Sequence, residues 1–360
     1  MTHARARRCL TVGVAALGAV SLIAGLSSGA SAATKKVRKP VVKSLANPGV
    51  VQGTDGRWVI HGTGSWASHS VTVSKGTSAA GPYAGVQKRR LLKESTVPTW
   101  MGATKEGERN RSIWAPSVAR SGGTYVAYFA VTVKGAGSAR CIGTGVSTNA
   151  RGPFTASPKA LACWKGSGAK PYDQIASEGK GFSLIDPTPT WLSSTQLVLT
   201  YKTQIKRNGK WHTTTRLLQL DPADPTRVAA QHGKSIKISD ARSKYIEENP
   251  VLVKRGSRYT LFTSFGWYGT CNYRTRYHQS KNLWSSRSWL KAKHTNLKFP
   301  KNTNTCGNGN AQVVNTGSDK WLIFFNGHAN RKKTPGGPSN VYVGTVKWKS
   351  AKPYVSKVRS

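Results

Sequence analysis

The same short plan returns five times along this chain, and no other feature of the sequence limits its fold as sharply. The copies read NPGVVQGTDGRWVIHG from Asn47, WAPSVARSGGTYVAYF from Trp114, DPTPTWLSSTQLVLTY from Asp186, ENPVLVKRGSRYTLFT from Glu248 and NAQVVNTGSDKWLIFF from Asn310. Each holds a short apolar strand, a turn, and a second strand of alternating aromatic and aliphatic residues. The second strand's anchor (Trp58, Tyr125, Leu197, Tyr259, Trp321) stands eleven positions after the first residue every time, and successive copies start 67, 72, 62 and 62 residues apart. Such a period marks stacked equivalent units. About sixty to seventy residues hold four short strands with their turns, which is one propeller blade. The expected fold is therefore all-β, a five-bladed β-propeller. A β-sandwich also uses short strands at regular spacing, but it does not require the constant offset. Innermost strands begin at the central channel, so Asn47, Trp114, Asp186, Glu248 and Asn310 are expected to ring one axial pocket.

Composition agrees. With 38% hydrophobic residues, 12 Trp, 12 Tyr and 8 Phe, the chain can bury a core, which excludes a mostly disordered protein. The 37 Gly and 17 Pro, with few helix-forming runs, exclude helical bundles and coiled coils. A length of 360 residues fits one large all-β domain.

The first 32 residues read as a secretory signal peptide. Arg5, Arg7 and Arg8 give a basic start, Leu10 to Leu26 an apolar run, and Ala30-Ser31-Ala32 a small-residue cleavage site. The run is too short for the roughly 20 residues of a spanning helix, and no other apolar run is long enough. The Arg7-Arg8 pair is a weak twin-arginine hint. A basic linker at 33–44 follows (Lys35, Lys36, Arg38, Lys39, Lys43), then the propeller at 45–350 and a basic tail at 351–360. Cleavage leaves Cys141, Cys163, Cys271 and Cys306. In an oxidising compartment outside a bacterial cell these are expected to form two disulfides. Three pairings are open, Cys141–Cys163 with Cys271–Cys306 being the most local. No CxxC or His-rich spacing supports zinc.

Against 55 Lys and Arg stand 13 Asp and Glu, so carboxylate chemistry draws on a short list. Asp55 and Asp319 lie in hairpin turns, Asp221 and Asp224 in LDPADPT, and Glu94, Glu106, Glu108 and Asp240 among basic or loop residues, all with a surface reading. Glu247 should face away from Glu248, because side chains alternate along a strand. Asp186 and Glu248 alone hold the repeat's axial position. Two carboxylates in one aromatic-lined pocket suit glycosidic bond cleavage, one protonating the leaving oxygen while another activates water or tunes its partner.

At these residues the chain resembles glycoside hydrolase family 43. IWAPS at 113–117, CIGTGVSTNARGPF at 141–154, LIDPTPTW at 184–191, EENPVLVKRGSRYTLF at 247–262 and CGNGNAQVV at 306–314 match the family's motif series in order. The resemblance implies a five-bladed propeller that hydrolyses arabinan, xylan and related plant polysaccharides with inversion. It makes Glu248 the general acid and Asp186 the residue that tunes pKa and orientation. The family's general base is an Asp opening the first blade, where this chain has Asn47, and a neutral amide cannot take a proton from water. Ser117 stands where WAP is usually followed by an acid. Asn310 replaces a fifth-blade histidine that lies near an axial metal ion or water, so calcium is the one cofactor the resemblance implies. Asp173 and Glu178 are the substitutes for the base that the sequence offers. The alternative reading is a degenerate carbohydrate-binding or wall-adhering propeller.

Trp114, Trp191, Trp267 and Tyr268 are candidate stacking platforms for sugar rings, with Asn310 beside them. Propellers also bury aromatics between blades, and only Trp114 holds an axial position. The net charge is +42, or +39 once the three signal-peptide arginines are gone. Such a surface suits a polyanion such as a cell-wall polymer. The basic residues are spread evenly and no nucleic-acid motif occurs, so nucleic acid is not an expected partner. The expected protein is a monomer acting outside the cell.

Overall fold

Alternating apolar residues and short turns make antiparallel hairpins, and these build five separate sheets. The computed structural model describes residues 39–63, 70–71, 78–84, 89–102, 113–329 and 340–359. The signal peptide and the linker up to residue 38 lie outside them. Blade 1 holds β1 (Ala46–Gln52), β2 (Trp58–Thr63) and β3 (Ser70–Val71). Blade 2 runs β4 (Trp114–Ser121), β5 (Thr124–Thr132), β6 (Arg140–Ser147), β7 (Thr155–Ala156), β8 (Ala162–Trp164) and β9 (Asp173–Ile175). Blade 3 is β10 (Ser183–Ser193), β11 (Gln196–Arg207), β12 (Lys210–Leu220) and β13 (Ile236–Ser243), paired in that order. Blade 4 is β14 (Ile246–Arg255), β15 (Arg258–Gly266), β16 (Arg274–Ser280) and β17 (Thr295–Asn296), with helix α1 (Ser286–Leu290) before its last strand. Blade 5 is β18 (Thr305–Asn315), β19 (Trp321–Ala329), β20 (Asn340–Lys349) and β21 (Lys352–Val358). Each innermost strand packs on its two neighbours, and β18 packs on β1, so the ring closes as a five-bladed β-propeller.

The expected tail at 351–360 is corrected by β21, which is the outer strand of blade 5. Nor is the end of the linker free, since Val41 N–H donates to Val341 O at 2.8 Å and Val42 bridges Val341. No helix among the described residues is long and apolar enough to cross a membrane.

The core is five apolar wedges, one in each gap between blades. Leu197, Leu199 and Tyr201 of β11 face blade 2, while Val198 faces Leu252 and Leu261 of blade 4. Strand alternation thus lets one sheet fill two gaps. The disulfides form as Cys141–Cys163 and Cys271–Cys306, with Cα–Cα distances of 4.9 and 4.8 Å. The first lies inside blade 2, and the second ties the segment after β15 to β18.

All five innermost strands slip their ladder at one place, between Ala46 and Gly49, Trp114 and Ser117, Ile185 and Thr188, Glu248 and Val251, and Gly309 and Gln312. One residue at each slip has a positive φ: Asn47 (52°), Ala115 (44°), Asp186 (57°), Asn249 (51°) and Asn310 (49°). Asn and Asp tolerate that region best among residues with a side chain. Four of the five are followed by Pro, which lacks the N–H a ladder needs and so belongs at bulges.

These bulges correct the expected ring. Asn47, Asp186 and Asn310 are axial, but blades 2 and 4 contribute Ala115 and Asn249, with Trp114 and Glu248 one residue upstream. The eleven-residue offset misaligned them because the return to the second strand differs in length. From the strand position five residues past the bulge, the chain returns to its partner after four residues in blades 2 and 4 (Arg120 to Tyr125, Lys254 to Tyr259) but after five in blades 1 and 5, and also in blade 3, whose two-residue turn is lengthened by a second bulge between Trp191 and Ser193.

Candidate active site

The five bulges pinch the channel to a cavity of about 20 Å³, lined by Asn47, Ala115, Ser117, Asp186, Asn249 and Asn310 among others. That is room for about one water molecule. Below the pinch the channel widens to about 490 Å³ between the later halves of the innermost strands. Above it stand the residues one step upstream, Trp114 and Glu248.

On the side of blades 3 and 4 the site is ionic. Lys202 of β11 is fully buried, and its ammonium lies 2.8 Å from Glu248 Oε2 and 3.4 Å from Asp186 Oδ2. It gets there by alternation, since Val198 and Thr200 on the same strand face also point toward blade 4, Thr200 Oγ1 donating to Pro250 O at 3.0 Å. Asp186 is 6% exposed and Glu248 13%, which makes Glu248 the member of the trio most open to a ligand. The Tyr273 hydroxyl donates to Glu248 Oε1 at 2.7 Å, and Asn249 N–H donates to Asp186 Oδ2 at 3.1 Å. Burial pushes the Asp186 carboxyl above the usual range; Lys202 opposes this and Glu248 adds to it. Burial pulls the Lys202 ammonium down, but Glu248 and Asp186 outweigh it and hold the ammonium above the ordinary lysine value. Tyr273 is pushed up by burial first and by Glu248 second.

Across the axis, blades 5 and 1 meet through neutral amides. Asn310 Oδ1 accepts from Asn249 Nδ2 and stands beside the Tyr273 hydroxyl, whose one proton it shares with Glu248, while its Nδ2 donates to Asn326 Oδ1 at 3.2 Å. Asn326 Oδ1 also accepts from Asn47 N–H at 3.0 Å, and its Nδ2 donates to Leu45 O at 2.8 Å. Asn47 Nδ2 donates to Thr63 Oγ1 at 3.1 Å, an oxygen that Ala115 N–H also reaches at 2.8 Å. Asn310 is thus a buried hub whose amide is used inside the protein.

The aromatic candidates separate. Trp114 is 41% exposed, and the Arg140 guanidinium lies over its ring at 3.4 Å. Trp267 and Tyr268 are 51% and 59% exposed on the loop after β15, beyond the end of that strand that pairs with Ile246 and Glu248. These three lie on the Glu248 side of the pinch. Trp191 does not: five residues past Asp186, roughly 16 Å along the strand, it lines the lower cavity and donates to Arg120 O at 2.9 Å. Asp173 and Glu178 line a side cleft with Arg216 and Lys234, and neither lines the axial pocket. Asp173 is buried as the acceptor of the Tyr201 hydroxyl at 2.6 Å and of Ser235 N–H at 3.2 Å, a structural use of the carboxylate.

Comparison with known proteins places this geometry. The sequence profile of glycosyl hydrolases family 43 matches residues 89–351. The chain belongs to that family. Among curated protein sequences nothing matches it. Solved structures share its fold at low identity: a thermostable family-43 glycoside hydrolase (14% identity, TM-score 0.66, covering 90% of this chain and 97% of that one). An exo-1,5-α-L-arabinanase from a bovine ruminal metagenomic library has 16% identity and a TM-score of 0.60, covering 89% and 100%. A Cellvibrio cellulosa α-L-arabinanase complexed with arabinohexaose has 16% identity and a TM-score of 0.61, covering 89% and 96%.

The match to family 43 begins at residue 89, after the described strands of blade 1, so the Asn47 position lies outside the matched region. The calcium that the family implies finds a poor host at this axis. Calcium takes six to eight oxygen ligands, but Asp186 Oδ2 already accepts from Lys202 and Asn249, Asn326 Oδ1 accepts from two donors, and Asn310 Oδ1 accepts from Asn249. Sequence reasoning missed Lys202, Tyr273, Thr63 and Asn326. Only Lys202 had a signal, as a lone charge inside the apolar strand LVLTYKTQI.

Proposed function

We propose that this family 43 member is an exported glycoside hydrolase that cleaves O-glycosyl bonds in an arabinan- or xylan-class plant polysaccharide with inversion. The buried Asp186–Lys202–Glu248 trio supports this reading most directly. A fully buried lysine holding two carboxylates fixes Glu248 in place at the mouth of the pocket, where it can protonate the leaving oxygen as the C–O bond breaks. Asp186, beside the same ammonium, tunes and orients. The structural neighbours named for arabinan substrates and the exposed Trp114, Trp267 and Tyr268 fit a polysaccharide ligand. The signal-like start and the two disulfides support export.

Inversion requires water to add to the anomeric carbon from the opposite face, with a base roughly 6.5–9.5 Å from the acid. Where the family resemblance puts that base this chain has Asn47, whose amide can accept a hydrogen bond from water but not its proton. Turnover should therefore be slower than a carboxylate would allow, by about 10²- to 10⁴-fold. One observation favours a second reading, a carbohydrate-binding propeller: Asn47 is held by Thr63 and Asn326 and serves the amide network. Reducing-end release from linear arabinan, xylan and matching aryl glycosides, with Glu248→Gln as the control, separates the two. Turnover that Glu248→Gln abolishes supports the hydrolase, and saturable binding without turnover, even in Asn47→Asp, supports the binder. The net positive charge is proposed to retain the protein on anionic wall polymers, in which case log affinity should fall linearly with log salt.

A further inference from the structure

Glu247 precedes Glu248 on β14, but alternation turns it away from the axis, and it is only 3% exposed. It meets His278 of β16 and His294, which directly precedes β17, and one ligand atom from each lies within 4.8 Å of the others. His278 is 1% exposed, and its Nε2 faces the Ile238 carbonyl at 3.2 Å. That contact makes Nε2 the protonated nitrogen and leaves the lone pair on Nδ1. Nδ1 is buried with no hydrogen-bond partner. A buried lone pair with nothing to accept calls for an explanation.

We propose that Glu247, His278 and His294 bind a zinc ion, with water in the fourth position. Two imidazoles and one carboxylate are a ligand set zinc favours, whereas calcium takes oxygens alone. The surroundings match how such ligands are usually held. The Ile238 carbonyl fixes the tautomer of His278, and Ser239 Oγ donates to Glu247 Oε1 at 3.2 Å. His294 Nδ1 already stands 3.6 Å from Glu247 Oε1. The His278 and His294 rings stack at 4.2 Å and 13°, so His294 must swing for both lone pairs to converge. At 30% exposed it is the member with room to do so, and it marks the entry path. Arg276, which feels the charge of Glu247, is the cation a metal would have to compete with. A bound ion would clamp the back of the strand that carries Glu248 to β16 and to the segment before β17.

The test uses the full mature chain, stripped with EDTA and titrated with zinc chloride by calorimetry. One equivalent should bind, and zinc at about 100 times its Kd should raise Tm by about 5 °C, while calcium at the same concentration should not. Cobalt(II) in place of zinc should give the visible absorption of a tetrahedral site. His294→Ala, a half-buried change whose fold is checked by its melting in EDTA, and Glu247→Gln should each lose the one-equivalent binding and the cobalt spectrum. Ser239→Ala should weaken binding by about 10- to 100-fold. A wild-type chain that binds no zinc, or binding that His294→Ala and Glu247→Gln leave unchanged, overturns the proposal.

Discussion

Blades 3 and 4 bring Asp186, Lys202 and Glu248 to the axial site, whereas blades 5 and 1 bring Asn310 and Asn47 on equivalent backbone bulges, with Asn326 of β19 bridging them. The two halves solve one problem differently. Each bulge leaves polar groups at the crowded centre of the ring, and buried polar groups must find partners. The ionic half does so with a counter-charge, which ties three side chains to one another's protonation state. The amide half does so with donors and acceptors that carry no charge. The site can therefore hold an acid firmly on one side while offering only a neutral group on the other, and Tyr273, its hydroxyl shared between Glu248 and Asn310, joins the halves.

Breaking the ionic half should have the largest effect. Lys202→Met leaves two carboxylates facing each other without their cation, and losing one partner of a buried ionic group costs about 3–5 kcal/mol. Chemical denaturation should show that loss, and any turnover should go with it. An undiminished midpoint would mean that the trio is not an energetic unit. Charging the amide half comes next: Asn47→Asp supplies the missing base and should raise hydrolysis by about 10²- to 10⁴-fold, read as kcat on the best substrate of the screen. If kcat stays put, the water is activated elsewhere.

Acid offers a way to charge the interior of blade 1 without mutation. His61 of blade 1 is fully buried against Ala150 O, and burial pushes its pKa down from 6.5 to about 4. Unfolding lets it take a proton, so its contribution is intact above pH 6.5 and is lost as pH falls toward about 4. The gap corresponds to about 3 kcal/mol. Melting across that window should show the fall, and His61→Gln should flatten it; equal slopes would locate the acid response in another group. The smallest effect is expected at Thr63→Val, which takes from Asn47 Nδ2 and Ala115 N–H the part-buried oxygen they share, for about 1–3 kcal/mol. A loss as large as that of Lys202→Met would show that the neutral half carries as much as the charged one.

The number of blades and their order were legible because each repeat keeps its apolar alternation and its turn, which local physics fixes. The register at the axis was legible only in blades 1, 3 and 5. In blades 2 and 4 a shorter return to the second strand moved Ala115 and Asn249 into the ring and left Trp114 and Glu248 above it, and strand periodicity does not encode that length. Glu248 and Asp186 stood out because acids are scarce. Lys202 did not, because a lysine among so many bases looks ordinary until its strand face is known. Trp191 was misplaced for a related reason: a strand crosses the whole propeller, so a residue five positions from the site can belong to the opposite mouth.

The contacts that close the ring join residues almost the whole chain apart. Ser44 N–H reaches Asn340 Oδ1 across 296 positions, and Asn326 holds Leu45 across 281. Loop-closure entropy must be met before such contacts form, and topologies dominated by them fold slowly. The last blade has to exist before the first can be secured. Synthesis alone therefore cannot complete this fold from the front, and the chain stays an open stack of hairpins, exposing its first and last apolar wedges, until blade 5 arrives.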